Sequence, residues 1–452
     1  MKKIFQKKIY KIIRSSMLAH LFLLPVLFGS ISQAGLKIHF PVEKYQLSNG
    51  LTVILSEDHS VPMISYHTWY RVGSRDESPE MTGAAHMLEH MMFKGAKKYS
   101  GKDFDRILQE NGITNNAFTS FDYTGFYENL PSSKLELIMD MEVDRMRSLA
   151  LRPEDLKSEL QVVGEERRWR VDNNPGGLLR ELMMGTLFKI HPYRWPTIGF
   201  MKHIQAYKVD KLREFYDKYY LPNNAVLVIA GDFDPSSTKK LVEKYYSQLP
   251  SRPLPKRNYP VEPDLKASVR KTLAWDVQSR SEVMAFKGVE SGHADSFALD
   301  LVAAVLGSGV SSRLSKKLVY EKQIAANVNA GNMTNANPGA FMVMFTMKPG
   351  LGLAEAEKIT RSEIEKMKTE LVSEKELQKV KNQVMMDTVE GLNTIDEKAQ
   401  SLAINEILFG NFDRLFKDLE KYNSVTAQDL LRVSQKYLVM EKMVTAILEP
   451  KK

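Results

Sequence analysis

The sequence predicts an α+β chain of two homologous domains, each a mostly antiparallel sheet covered by helices. Three observations lead there. Strand-like segments joined by polar turns alternate with amphipathic helical segments through the first part of the chain. Five prolines then fall between Pro250 and Pro263, a composition that suits a linker. Beyond them the same order of elements recurs, the mark of an internal duplication. With 452 residues, 43% of them hydrophobic, the chain is long enough for more than one packed domain. The expected division is 1–34, 35–249, 250–268 as the Pro-rich linker, and 269–452.

Residues 44–55 place two short strands around Asn49-Gly50, a strong hairpin signal. Segment 63–71 is a further strand by its β-branched and aromatic content. Ser78-Pro79-Glu80 reads as N-cap, first helical residue and first-turn acid of a helix that Gly95 stops. Met81, Ala84, Leu88, Met91 and Met92 recur at helical spacing within it, so one side is core. An amphipathic helix over 102–111, paired strands over 115–120 and 123–128, and two longer helices over 135–149 and 154–171 follow. Residues 221–232 read as a turn and a fully buried strand. In the second half, 296–306 takes the position of the first helix and 312–321 that of the next. Segment 339–346 is a strand, 354–370 and 374–391 are the two long helices, and 427–438 with 443–448 close the repeat.

The stretch Gly83-Ala84-Ala85-His86-Met87-Leu88-Glu89-His90 carries the chemistry. On a helix, His86 and His90 stand one turn apart on one face, with Glu89 on its neighbouring edge. Two neutral imidazoles at that spacing can share one Zn²⁺, which takes four ligands and keeps one position for water when the site is catalytic. Glu89 is placed to take a proton from that water and return it to a leaving amine. The order His-x-x-Glu-His inverts the commoner His-Glu-x-x-His. A third protein ligand must come from elsewhere, and without one the motif is equally a polar helix face. Candidates stand in helix 154–171, where Glu159 and Glu166 are two turns apart on one face and Glu165 points about 100° away. A run of helix-surface acids is also what a solvated face looks like.

The net charge of +8 is local. Lys2, Lys3, Lys7, Lys8, Lys11 and Arg14 lie in the first thirty-four residues with no acid among them, and removing these six leaves +2. Nucleic acid is therefore not an expected partner. The basic stretch, a short apolar run over 17–29 and Ser32-Gln33-Ala34 make a secretory signal, cleaved after Ala34. No later apolar run reaches spanning length, so the expectation is an exported chain of the periplasm with no stable membrane span. There are no cysteines, which excludes disulfides, thiolate ligands and a thiol nucleophile.

Taken together, these stretches make the chain similar to the pitrilysin and insulysin family of zinc peptidases, which includes the mitochondrial processing peptidases. That family pairs a His-x-x-Glu-His helix with a glutamate some seventy-five residues on, in a helix ending near Asp-Asn-Pro. Here seventy-five residues separate His90 from Glu166, and Asp172-Asn173-Asn174-Pro175 follows. Asn116-Ala117-Phe118-Thr119 with Asp122 and Thr124, and His191-Pro192-Tyr193 ahead of Gly199, look similar too. The resemblance implies that His86, His90 and Glu166 ligate one Zn²⁺ per chain, that Glu89 is the base, and that Glu159 is a second acid supporting the site. It implies further that Asn116, Ala117 and Phe118 belong to an exposed edge strand onto which extended substrate peptide adds; an ordinary core hairpin is the competing reading. Gly307-Ser308-Gly309 resembles a glycine-rich segment of the family, equally readable as a flexible connection.

Family members complete the site with an arginine and a tyrosine seven apart. Val319 and Ala326 stand at those positions here, and neither can donate a side-chain hydrogen bond. Arg313 and Tyr320 share the spacing six residues earlier. The departure implies a related non-zinc subunit carrying the Arg/Tyr pair, in a heterodimer enclosing a chamber; a homodimer using Arg313 and Tyr320 is the alternative. The functional expectation is a zinc endopeptidase acting on peptides or unfolded segments. Its alternative is a non-catalytic core or scaffold subunit of the same fold.

Overall fold

A computed structural model describes residues 39–451; the expected signal segment 1–34 lies outside the described residues. The first half builds a six-stranded sheet from β1 (Glu43–Gln46), β2 (Thr52–Glu57), β3 (Met63–Tyr70), β4 (Thr114–Thr119), β5 (Thr124–Pro131) and β6 (Ala225–Gly231), ordered β1-β2-β6-β3-β5-β4. All neighbours are antiparallel except β2 and β6. Its helices are α1 (Ala84–Met92), α2 (Gly101–Glu110), α3 (Leu135–Ser148), α4 (Pro153–Arg167), α5 (Pro175–Leu187), α6 (Met201–Ile204), α7 (Val209–Tyr219) and α8 (Pro235–Tyr246).

The second sheet contains β7 (Val269–Trp275), β8 (Ser281–Lys287), β9 (Ala325–Met333), β10 (Ala340–Met347) and β11 (Val444–Pro450), ordered β7-β11-β8-β10-β9, again with one parallel pair, β7 and β11. Helices α9 (Ser296–Gly307), α10 (Ala354–Thr369), α11 (Glu374–Glu390), α12 (Ile395–Phe409), α13 (Arg414–Ser424) and α14 (Ala427–Tyr437) accompany it. Without β1, the first sheet maps onto the second strand for strand. The two halves are thus two versions of one topology, mixed α and β, as the recurring element order predicts.

Strand alternation gives each sheet two apolar faces. On the first sheet, Val53, Leu55, Ile64, Tyr66, Leu227 and Ile229 pack against Leu88, Met91 and Ile138 of their own half. The opposite face, Ile54, Trp69, Val226 and Val228, is covered by Ala399, Leu402, Ala403 and Ile407 of α12, from the second half. The second sheet is treated reciprocally. Val283, Ala285, Val444, Ala446 and Leu448 are covered by Leu179, Met183, Met184 and Leu187 of α5, from the first half. Each half lends a helix to the other, and each large side chain so buried contributes about 2 kcal/mol.

The Pro-rich segment between the sheets is a fastened strap. Glu262 accepts the backbone N–H groups of Lys189, Ile190 and His191 at 2.7, 2.9 and 2.8 Å. Tyr259 donates its hydroxyl to Asp76 at 2.6 Å. No described helix is long and apolar enough to cross a membrane.

Candidate metal and catalytic site

Helix α1 starts at Ala84, five residues later than Ser78-Pro79 predicts. The cap comes from outside the helix: the buried Glu77 carboxylate accepts from the N–H groups of Gly83 at 2.7 Å and Ala85 at 3.0 Å. Gly83 itself is left-handed, φ 90°, and lies against Gly199, where a Cβ would meet the Thr82 carbonyl oxygen at 2.2 Å. Two glycines in contact let the chain cross there. Every residue of α1 but His90 is buried, so the two histidines stand on a scaffold packed against β4, α4 and α7.

Glu166, near the end of α4, faces both imidazoles. Its Oε2 lies 3.1 Å from His90 Nε2 and 3.6 Å from His86 Nε2, and one ligand atom from each of the three residues falls within 4.8 Å of the others. Tetrahedral ligands about 2.0–2.1 Å from a zinc ion are about 3.3 Å apart. Two imidazoles and a carboxylate at these separations fit the ion, with the fourth position left over. Glu159, one face-repeat earlier on α4, does not join the three. It takes the far nitrogen of His90, Nδ1, at 3.1 Å, and is itself paired with Lys94 at 2.6 Å. Such a carboxylate fixes the tautomer and orientation of a ligating imidazole.

Burial pushes the His86 imidazole down to about 3, leaving it neutral at pH 7. Burial lowers His90 too, but its hydrogen bonds to Glu159 and Glu166 outweigh this and hold it up at about 9. The two carboxylates, although burial raises them, are held below the ordinary glutamate range by the same contacts. Negative charge around His90 thus favours a cation between His86, His90 and Glu166. Glu89 is different: burial raises its pKa, opposed by a hydrogen bond from the Thr119 hydroxyl. A carboxylate raised toward neutrality is suited to proton transfer.

Thr119 belongs to β4, the edge strand of the sheet. Ala117, Phe118, Thr119, Glu89 and His86 line one cavity of about 670 Å³, closed on its far side by α5 and by Met333 and Asn335 of the second half. Asn116 lies on the same strand but is not part of the lining. Asp122 accepts from the Tyr193 hydroxyl at 2.6 Å, so the two outlying stretches of the family resemblance meet in space.

Residues 52–199 match the family model described as Insulinase (Peptidase family M16), and residues 207–384 match the Peptidase M16 inactive domain. The zinc protease PqqE of Helicobacter pylori is 31% identical over 423 residues, covering 90% of this chain and 93% of that protein. The chain belongs to the M16 peptidase family. The uncharacterized zinc protease YmxG of Bacillus subtilis is 25% identical to the M16 chain over 412 residues, covering 90% and 98%. A crystal structure of a protease from Helicobacter pylori superposes with a TM-score of 0.86 at 29% identity, over 91% of this chain and all of that one.

The second half of the M16 chain has no histidine pair on α9, whose buried face is aliphatic. Val319 lies within a π-helical segment, Ser315–Glu321, and Ala326 on β9. Arg313 is held within the chain by Glu376, at 2.9 and 2.7 Å, while Tyr320 is exposed. Two residues of the site went unread in the sequence, Lys94 and Arg170, which pairs with Glu166 at 2.8 Å; Thr119 belongs to a stretch the sequence singles out, but its bond to Glu89 does not show there. Only Arg170 carries a local signal, its i+4 spacing from Glu166.

Proposed function

We propose that this M16 chain is a zinc-dependent endopeptidase acting on peptides and unfolded segments. The observation that carries the reading is the convergence of His86, His90 and Glu166, with Glu89 buried beside them at the wall of one cavity. His86, His90 and Glu166 would hold one Zn²⁺ per chain, which supplies a Lewis acid for the scissile carbonyl and lowers the pKa of water. Glu89 takes the proton from the attacking water and delivers it to the leaving amine. Glu159 holds His90 in place. The free edge of β4, through Ala117 and Phe118 with Asn116 beyond, pairs with extended substrate backbone, giving affinity with little sequence demand. A cleft of this size admits an extended chain and rejects folded protein.

The same reading extends to export and partners. The N-terminal basic and apolar stretches support a signal peptide and a periplasmic location. Val319 and Ala326 offer the carbonyl no side-chain donor at the two positions where the family resemblance puts the Arg/Tyr pair. Arg313 is committed to Glu376. Both facts favour a heterodimer with a related chain that supplies the Arg/Tyr pair over a homodimer using Arg313 and Tyr320. A second reading, a non-catalytic core subunit, draws on the match of residues 207–384 to a domain described as inactive.

The test is hydrolysis of a quenched fluorescent peptide library by the mature chain, with bound zinc quantified in the same sample. Chelator-sensitive turnover that Glu89→Gln lowers about a hundredfold or more, with zinc retained, is the expected result. Zinc without turnover, restored by a second subunit, fits the heterodimer; zinc without turnover under any pairing favours the core subunit. Absence of zinc refutes the metal site.

A further inference from the structure

The catalytic cavity holds a cation that none of the chemistry above uses. Its acids are already engaged: Glu89 receives the Thr119 hydroxyl, and Glu181 pairs with Arg167 at 2.7 Å. Arg170 is likewise occupied, on Glu166 at 2.8 Å. Arg180 has no acidic partner among the described residues. Its guanidinium reaches only the Met333 sulfur, at 3.8 Å. Its backbone is fixed, because its neighbours Leu179, Met183 and Met184 on α5 are buried against the second sheet, while its own side chain is exposed. Surrounding protein with no counter-charge holds the pKa of Arg180 below the ordinary arginine range, while the side chain stays open to the cavity.

Across from it stands a second unsatisfied donor. Asn335 lines the same cavity, is 8% exposed, and its Nδ2 has no hydrogen-bond partner. A buried amide without a partner is unfavourable unless something else takes the hydrogen bond. The loop that carries it is tied down on both sides. Asn335 accepts the N–H of Ser291 on its carbonyl at 2.7 Å. The next two residues are bound to the first half, Ala336 N–H to Asp122 at 2.9 Å and Asn337 N–H to the Tyr193 hydroxyl at 3.1 Å. Arg180 therefore offers the cavity an unpaired planar cation, and Asn335, on a fixed loop, lines the same cavity with an amide whose covered Nδ2 has no partner.

We propose that Arg180 and Asn335 form a carboxylate subsite in the catalytic cavity, selecting peptides that present an acidic side chain or a free C-terminal carboxylate next to the bond to be cut. The proposal rests on the peptidase reading and specifies its substrate class. A carboxylate takes two parallel hydrogen bonds from a guanidinium and keeps lone pairs for the amide. A neutral amide in its place cannot satisfy both N–H faces. Discrimination by an unpaired cation of this kind is about tenfold to a hundredfold.

The experiment compares peptides differing only by Glu or Gln at each position, each as C-terminal acid and C-terminal amide. Hydrolysis is followed with the zinc-loaded mature chain, and binding of fluorescein-labelled versions by anisotropy with the Glu89→Gln chain. The expected result is a preference of about tenfold or more for the acid at one position, collapsing toward one in Arg180→Gln, partly kept in Arg180→Lys, and reduced in Asn335→Ser. An effect confined to the terminal amide identifies the C-terminal carboxylate as the ligand; an effect at an internal position identifies a side chain. Equal handling of acid and amide overturns the proposal. So does Arg180→Gln lowering all peptides alike. If no peptide is cut by the chain alone or together with a second subunit, the peptidase reading falls, and the anisotropy ratio alone still decides whether the cavity selects carboxylates.

Discussion

Glu159 and Glu166 differ by one face-repeat of a helix, and that difference separates the proposed positioning residue from the proposed ligand. Glu166 meets both imidazoles, whereas Glu159 meets only the outer nitrogen of His90 and shares its charge with Lys94. Glu159→Gln should therefore weaken zinc about 10- to 100-fold, as loss of an outer hydrogen-bonding carboxylate does elsewhere, with little change in melting temperature; titration against a competing chelator measures it. A second carboxyl matters for stability instead. Glu282 on β8 is fully buried, and neither oxygen has a hydrogen-bond partner. Burial first, then Glu357, pushes its pKa up to about 9. Because the folded value lies above the ordinary 4.5, the folded chain binds the extra proton, so stability is full below about pH 4.5 and is lost as pH rises through about 9. Urea unfolding at pH 5 and pH 8.5 should show Glu282→Gln close to the parent at the lower pH and more stable than it at the higher.

At the level of elements, what was legible in the sequence is what local spacing controls. The hairpin at Asn49-Gly50, the histidine helix, and the long helices of both halves emerge within a residue or two at most ends, because turn residues and apolar periodicity are written next to one another. The start of α1 was not legible. Ser78 and Pro79 are good helix openers, but Glu77 wins the exposed N–H groups of Gly83 and Ala85 through space. Helices α5 and α12 were unread for a related reason. The first opens on Gly176-Gly177, poor helix formers, and both are held by an apolar face on the other half's sheet, which no local pattern records. The proposed ligand triad was legible only by joining two helices through a family spacing. The Arg180 and Asn335 pair, drawn from separate halves, had no sequence signal. Gly83→Ala tests the crossing that seats α1. Its φ of 90° disfavours a side chain, and the new Cβ would lie 2.4 Å from the Ile198 carbonyl oxygen. A loss of about 1–3 kcal/mol is expected in urea melts, with reduced zinc occupancy because His86 follows three residues later.

At the scale of the whole molecule, the exchange of α5 and α12 makes the two halves one folding unit despite the proline-rich strap between them. Removing either half uncovers a sheet face: Trp69, Val226 and Val228 on one side, Val283, Val444 and Leu448 on the other. Leu402 sits at the centre of this argument, fully buried in the second half yet packed on the first sheet. Leu402→Ala should cost about 2–5 kcal/mol. The cost should be global: denaturation followed by the fluorescence of the tryptophans, Trp69 being buried beneath α12, and by far-UV circular dichroism should shift together in one transition. Coincident probes are what a single cooperative unit requires. If the two halves were independent domains, the variant would split the curve, the first sheet losing its cover while the second melted unchanged. The exchange also carries the site: α5 brings Arg180 to the cavity only because the second sheet holds it there. A shared transition would therefore mean that the walls of the cavity, contributed by both halves, form and dissolve together.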